Sequence, residues 1–312
     1  MENLIISVNV VMPLFLMMAT GFLLKKVGLF DLHTLKKMNT VSFNLFLPVL
    51  LISNIYSSNI RENFDLRIVA FGVVTIIAVW AICMAVVPRI IKDNPSRGVI
   101  VQASFRGNYI LFALSIMRFL YGDGNTGMTG ILGAFVVPLY NVLVVITFEI
   151  FRGGKLNIKQ VLSSIAKNPL IIGSVTGIVL QLLDIKLFYI LERVLYDVGN
   201  IATPLALIIL GGFFEFSATK TWLKRTLITS ALKICVVPLF FTTIAIVLGF
   251  RGSNLATLYI LHCSPVAVSS FTMASEMGGN KELASQLTVF TSLGSVLTIF
   301  LGVFLLRSFG LI

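Results

Sequence analysis

The chain has 312 residues, 57% of them hydrophobic and 12% charged, with a mean hydropathy of +0.98. A soluble domain carries about 25% charged residues, so a chain this apolar cannot present a wettable surface, and a bilayer is the solvent it suits. The net charge of +11 would point to nucleic acid in a soluble protein. Here the basic residues fall in short gaps between apolar runs, with no basic patch or aromatic RNA-binding motif, which argues against that partner.

A membrane-crossing helix needs about 20 mainly apolar residues. Ten candidate spans follow in order: 4–24, 38–57, 66–88, 99–120, 128–150, 169–184, 189–215, 222–248, 254–276 and 283–306. The start, Met1-Glu2-Asn3-Leu4, lacks the positive region of a signal peptide, so the first run reads as a retained helix. Turn and charge signals mark the gaps: Lys25-Lys26, Asp93-Asn94-Pro95-Ser96-Arg97, Gly122-Asp123-Gly124-Asn125, Arg152-Gly153-Gly154-Lys155 and Gly278-Gly279-Asn280. Cys83, Cys235 and Cys263 lie inside apolar runs without metal or disulfide spacing and read as buried small hydrophobes.

Of the 24 Lys and Arg residues, 15 fall in or beside the odd-numbered gaps and 7 in or beside those on the opposite side. The excess assigns the odd gaps to the cytoplasm and both termini to the outside of the cell membrane. Arg106 and Lys233 are the two left, well inside spans and away from their ends.

An internal repeat is visible at a shift of 156. Pro13-Leu14 meets Pro169-Leu170, Thr20-Gly21 meets Thr176-Gly177, Pro48 meets Pro204, and Leu51-Ile52 meets Leu207-Ile208. At a shift of 150, Val86-Val87-Pro88 meets Val236-Val237-Pro238, so six of the nine prolines pair. Five spans per copy force the second to insert upside down, the inverted-repeat design of many secondary transporters. The expected organisation is a first five-helix repeat over 1–150, a cytoplasmic linker over 151–168 and a second, inverted repeat over 169–312.

Spans four and nine correspond in the two copies, and both are polar at mid-depth. Span four contains Ser104-Phe105-Arg106-Gly107-Asn108-Tyr109, and span nine contains His262-Cys263-Ser264-Pro265-Val266-Ala267-Val268-Ser269-Ser270. Gly107 loosens one helix and Pro265 removes a donor from the other. Unwound backbone at membrane depth is tolerated only where protein or a watery cavity satisfies it, and the half-helix N-termini can hold an anion.

Arg106 has no Asp or Glu in the middle of spans one to six to pair with. An unpaired guanidinium in a cavity suits an anionic substrate, most simply a carboxylate; the alternative is a cap on backbone carbonyls or a side chain reaching for the surface. Asn108 would contact substrate or bridge helices. Ser269 and Ser270 are weaker candidates. Lys233 would bind substrate or act as an internal tethered cation. His262 is the one intramembrane group that titrates near neutral pH, hence a proton carrier or a hydrogen-bonded structural group. Asn44, four residues before Pro48, and Thr203 before Pro204 would line the path or pack helices. No metal or cofactor is expected. No HExxH or GxSxG occurs, so a membrane-embedded enzyme is disfavoured. An anion channel or uniporter is the closer alternative to a carrier.

Together these motifs resemble the auxin efflux carrier family in its short bacterial form, the malate or malonate permease-like transporters. The resemblance rests on Asn44-Leu45-Phe46-Leu47-Pro48, Phe105-Arg106-Gly107-Asn108-Tyr109, Pro204-Leu205-Ala206-Leu207 with Gly211-Gly212, and Ser264-Pro265-Val266-Ala267-Val268-Ser269-Ser270 with Gly278-Gly279-Asn280. It implies an all-α integral membrane protein of ten helices, a scaffold of spans 1, 2, 6 and 7, and a transport unit of spans 3–5 and 8–10. Spans four and nine would cross at the site and move elevator-fashion, with a homodimer through the scaffold. The chain departs from the plant branch in its short 151–168 linker and in having no proline in the span-four break.

Overall fold

In a computed structural model of the chain, residues 2–57, 65–122, 127–152, 158–214 and 216–312 are described. The expected turns at 123–125 and 153–155, and Glu215, lie outside them. The described residues form thirteen helices and no strand. They are α1 (Glu2–Lys26), α2 (Leu32–Tyr56), α3 (Leu66–Ile90), α4 (Asn94–Phe105), α5 (Tyr109–Tyr121), α6 (Gly127–Phe151) and α7 (Ile158–Lys167). Then follow α8 (Pro169–Leu182), α9 (Tyr189–Phe213), α10 (216–247), α11 (Gly252–Cys263), α12 (Val268–Glu276) and α13 (Lys281–Ser308).

Six of these, α2, α3, α6, α9, α10 and α13, are long and apolar enough to cross a membrane among the described residues; the pair α7–α8, bent by 61°, would make a seventh. The half-helices α4, α5, α11 and α12 have 12, 13, 12 and 9 residues. At about 1.5 Å per residue none of them spans about 30 Å alone. The outer surface is apolar: Leu16, Val74, Leu239, Val247 and Phe188 are 62–81% exposed, far beyond what a water-soluble monomer displays. Cys83 and Cys263 are buried as expected, but Cys235 lies exposed on α10. In a bilayer an apolar side chain can face outward as well as inward.

Two prolines shape their helices. Pro48 and Pro238 lack the donor for the preceding turn, and each ring crowds the carbonyl four residues back. In both cases the helix widens into a π turn just before the proline, over Ser42–Phe46 and Leu232–Val236. The N–H groups of Leu47 and Val237 reach back five residues, to Ser42 and Leu232.

Helix α1 packs along α9, and α2 packs along both α8 and α9. Glycines set these approaches. Gly21 on α1 lies against the backbone of Ile208 on α9, and Gly177 on α8 lies against Ile52 on α2. Gly177 and Ile208 are Gly21 and Ile52 displaced by 156, so one contact is the image of the other. The breaks match in the same way: α4 (94–105) and α11 (252–263) are offset by 158 at both ends. Helices α3–α6 and α10–α13 pack around the two breaks. The linker expected over 151–168 contains α7, whose Val161, Leu162 and Ile165 recur at helical spacing.

Gly211 on α9 lies against the backbone of Met18 on α1, with no room for a Cβ, whereas Gly130 on α6 has nothing within 4 Å of a Cβ position. Gly211→Leu should therefore separate α1 from α9 and destabilise the protein by about 1–3 kcal/mol. Gly130→Ala should leave stability unchanged. Thermal melting of the purified proteins in detergent, followed by size-exclusion profile, distinguishes the two.

Candidate functional site

The site is built where the two broken helices meet. Helix α4 ends at Phe105, Arg106 leaves in extended conformation, and α5 restarts at Tyr109. Helix α11 ends at Cys263 and α12 restarts at Val268. Between them, Gly107 and Val266 pair as an isolated antiparallel bridge, and the Asn108 N–H donates to Pro265 O at 2.7 Å. Val266 N–H donates to Thr291 Oγ1 at 3.1 Å. Each interruption thus supplies partners for the other's backbone, as a low-dielectric interior demands. A Cβ at Gly107 would stand 3.2 Å from Ser264 Cβ and 3.3 Å from Ser264 O, so the close crossing favours glycine there.

Arg106 is 4% exposed. Its Nη2 donates to Asn141 Oδ1 at 2.9 Å and to Ser269 Oγ at 2.8 Å, and Nη1 reaches Met273 Sδ. These acceptors are all neutral, and among the described residues no ion pair includes Arg106. Among the described residues the guanidinium meets no carbonyl, and its burial keeps it from the surface. Lys233, 1% exposed in the π turn of α10, donates to Phe105 O at 3.4 Å, at the C-terminal end of α4. Two cations therefore stand near the crossing. The first-turn N–H groups of α5 and α12 add partial positive charge to the same region.

A cavity of about 1310 Å³ reaches this point. Arg106, Gly107, Asn108, Tyr140, Ala267 and Ser269 line its deep end. Leu47, Leu50 and Asn54 of α2 and Asn200, Thr203 and Pro204 of α9 face them across it. Exposure rises towards Ser57, Ser115, Arg118 and Tyr196, so the mouth lies at the ends of α2 and α5 and the start of α9. At the opposite end α2 and α12 are joined: Asn39 Nδ2 and Thr40 Oγ1 donate to Glu276 Oε1 at 2.8 and 3.0 Å.

Five of the candidate residues thus line one cavity: Arg106, Gly107, Asn108, Thr203 and Ser269. Pro265 stands behind them as backbone acceptor of the crossing. Ser270 turns away, buried on the wall of a separate small void that Gln102 also lines. Asn44 is exposed, and its amide donates to Thr40 O of its own helix at 2.8 Å. His262 is buried, hydrogen-bonded to Thr75 at 3.1 Å and stacked on Phe241 at 5.0 Å, outside the cavity lining. Sequence reasoning passed over Asn141, Tyr140 and Met273. The available signal for Asn141 was a lone amide three residues after Pro138 in an apolar run.

Comparison with known proteins adds two findings. A family model described as membrane transport protein matches residues 6–302. An uncharacterized transporter of Methanocaldococcus jannaschii is 21% identical over 277 residues, covering 86% of this chain and 89% of its own.

The burial gradient can be tested with single cysteines in a protein lacking Cys83, Cys235 and Cys263. A membrane-impermeant maleimide added on the mouth side should label Asn54→Cys about tenfold faster or more than Asn39→Cys, since thiol reactivity follows exposure. Equal labelling would contradict a cavity open at this end alone.

Proposed function

The chain belongs to the membrane transport protein family, a transporter family and not an enzyme family, and from that premise we propose that it carries a small organic anion across the cell membrane by alternating access. The observation that carries the substrate class is Arg106, a buried guanidinium on the wall of the cavity whose hydrogen-bond partners among the described residues are all neutral. A carboxylate about 4 Å from it gains about 4 kcal/mol at an effective dielectric of about 20, and a bidentate pair adds directional specificity. Asn108, Ser269 and the N-terminal turns of α5 and α12 complete the binding surface. Lys233 acts as the tethered internal cation that offsets the C-terminal end of α4.

The cavity lies between α1, α2, α8 and α9 on one side and the crossing with α5 and α6 on the other. This division supports a scaffold of spans 1, 2, 6 and 7 and a transport unit of spans 3–5 and 8–10, in two inverted five-helix repeats. The 156-residue correspondence of the Gly21–Ile208 and Gly177–Ile52 contacts favours the repeat. Closure at Asn39, Thr40 and Glu276 favours alternating access over a continuous anion channel. With the basic odd gaps cytoplasmic and both termini outside, the cavity is the outward-facing one. The proposed homodimer through the scaffold rests on the family resemblance. An anion leaving an inside-negative cell gains about 2.3 kcal/mol per charge per 100 mV, so export proceeds as uniport, whereas import requires exchange or coupling.

Proteoliposomes should take up labelled organic acids, screened as mono- and dicarboxylates. Arg106→Ala should abolish uptake. Arg106→Lys, which keeps the charge and loses the fork, should bind about 10–100-fold more weakly, the equivalent of about 1.5–3 kcal/mol for a hydrogen bond to a charged group. Normal uptake by Arg106→Ala would end the anion reading.

A further inference from the structure

Asn141 sits at the middle of α6, fully buried and absent from the cavity lining. Its two amide atoms serve two different neighbours. Oδ1 accepts from Arg106 Nη2 at 2.9 Å, and Nδ2 donates to Ser174 Oγ on α8 at 3.4 Å. The Ser174 hydroxyl in turn donates to Leu170 O at 2.8 Å.

The direction of this chain is forced by chemistry. A guanidinium only donates, so the Asn141 oxygen must face Arg106 and its NH2 must face Ser174. Ser174 spends its hydrogen on Leu170 and can receive the amide through a lone pair. A polar chain thus runs from the guanidinium, behind the cavity wall, to the backbone of α8.

Arg106 Nη2 has two hydrogens, one on Asn141 and one on Ser269. A carboxylate binding both terminal nitrogens needs one of them. Ser269 lines the cavity and Asn141 does not, so an incoming anion takes the hydrogen held by Ser269, while Asn141 keeps its own. On Nη1 the acceptor is the Met273 thioether, a weak one that an anion readily replaces.

We infer that Asn141 is the positioning residue of the anion site: it holds Arg106 from behind its binding edge, and its bond to Ser174 ties that geometry to the outward-open arrangement of α6 against α8. The inference rests on the anion-carrier reading. On that reading α8 belongs to the scaffold and α6 to the moving unit, so the Asn141–Ser174 bond has to part when the unit travels. At 3.4 Å it is the longest of the three hydrogen bonds in this polar chain.

Three variants test this, with benzoate and malonate as probes in thermal-shift titrations. Asn141→Asp puts a carboxylate on Arg106 and should weaken both probes by about a hundredfold or more, while the ligand-free melting temperature stays at or above wild type. A merely structural role for Asn141 would instead lower the melting temperature without selectively removing the anion response. Ser174→Ala keeps the Arg106–Asn141 bond, so intrinsic affinity should hold within about threefold, but maleimide labelling of Asn54→Cys from the mouth side should slow as the outward-open state loses its tie. Wild-type affinity in Asn141→Asp overturns the positioning role, and unchanged labelling in Ser174→Ala overturns the tie. If Arg106→Ala still responds to the probes, or wild type responds to neither, the anion reading fails and this inference with it. If Arg106→Ala loses the response and Asn141→Asp keeps it, only this inference fails.

Discussion

Everything in this molecule follows from one constraint: a peptide group held away from water must find a partner in the protein. Continuous helices meet it automatically. At Arg106–Asn108 and Ser264–Ala267 the helices stop, and their backbones bridge each other through Gly107, Val266, Asn108 and Pro265. That reciprocal pairing permits two breaks to exist side by side, and it needs two of them, because either one alone would leave groups unsatisfied. The crossing then brings the ends of four half-helices to one place, with C-terminal carbonyls near Lys233 and N-terminal turns beside the cavity.

The electrostatics of the site are a consequence of the same arrangement. Arg106 is the residue at which α4 ends, so the break that frees the backbone also fixes the root of the guanidinium. Its surroundings are uncharged acceptors, which orient it without neutralising it. A carboxylate in place of Asn141 would have anchored the arginine more firmly and extinguished its attraction for an anion. Stability of the guanidinium and availability of its charge oppose each other, and a neutral amide is the compromise.

The chain is uneven in what it discloses. Apolar runs, the prolines and the polar interruptions at Arg106 and Pro265 are local properties, and among the described residues the runs fold as helices that stop at those two interruptions. Gly107, Asn108 and Ser269 come to the cavity beside Arg106 because their place at the break is itself a local property. What the chain conceals is azimuth, the face of a helix on which a residue lands. Ser269 and Ser270 are adjacent, yet one meets Arg106 and the other lines a separate buried void. Asn44 looks like a path-lining amide beside Pro48, but the π turn leaves it on the outer face, bonded to its own helix. Asn141 is equally polar and equally isolated in an apolar run, and only the packing of α6 against α4 and α8 distinguishes it. Helix α7 was hidden for a different reason: ten residues of linker are too few for periodicity to stand out.

The bridge between Gly107 and Val266 has a further meaning for motion. A membrane protein that slides part of itself through the bilayer would ordinarily have to strip and restore hydration around any irregular segment it moves. Here the irregular segments are solvated by one another through the Gly107–Val266 bridge and the Asn108–Pro265 hydrogen bond, so in the carrier proposed above the crossing would move as one unit with this pairing intact. In that proposal the contacts that change lie between the two helix sets, among them Glu276 with Asn39 and Thr40 and Asn141 with Ser174. The resistance to such movement would then be set at the seam between the two helix sets, and the backbone pairing at the crossing is spared from it.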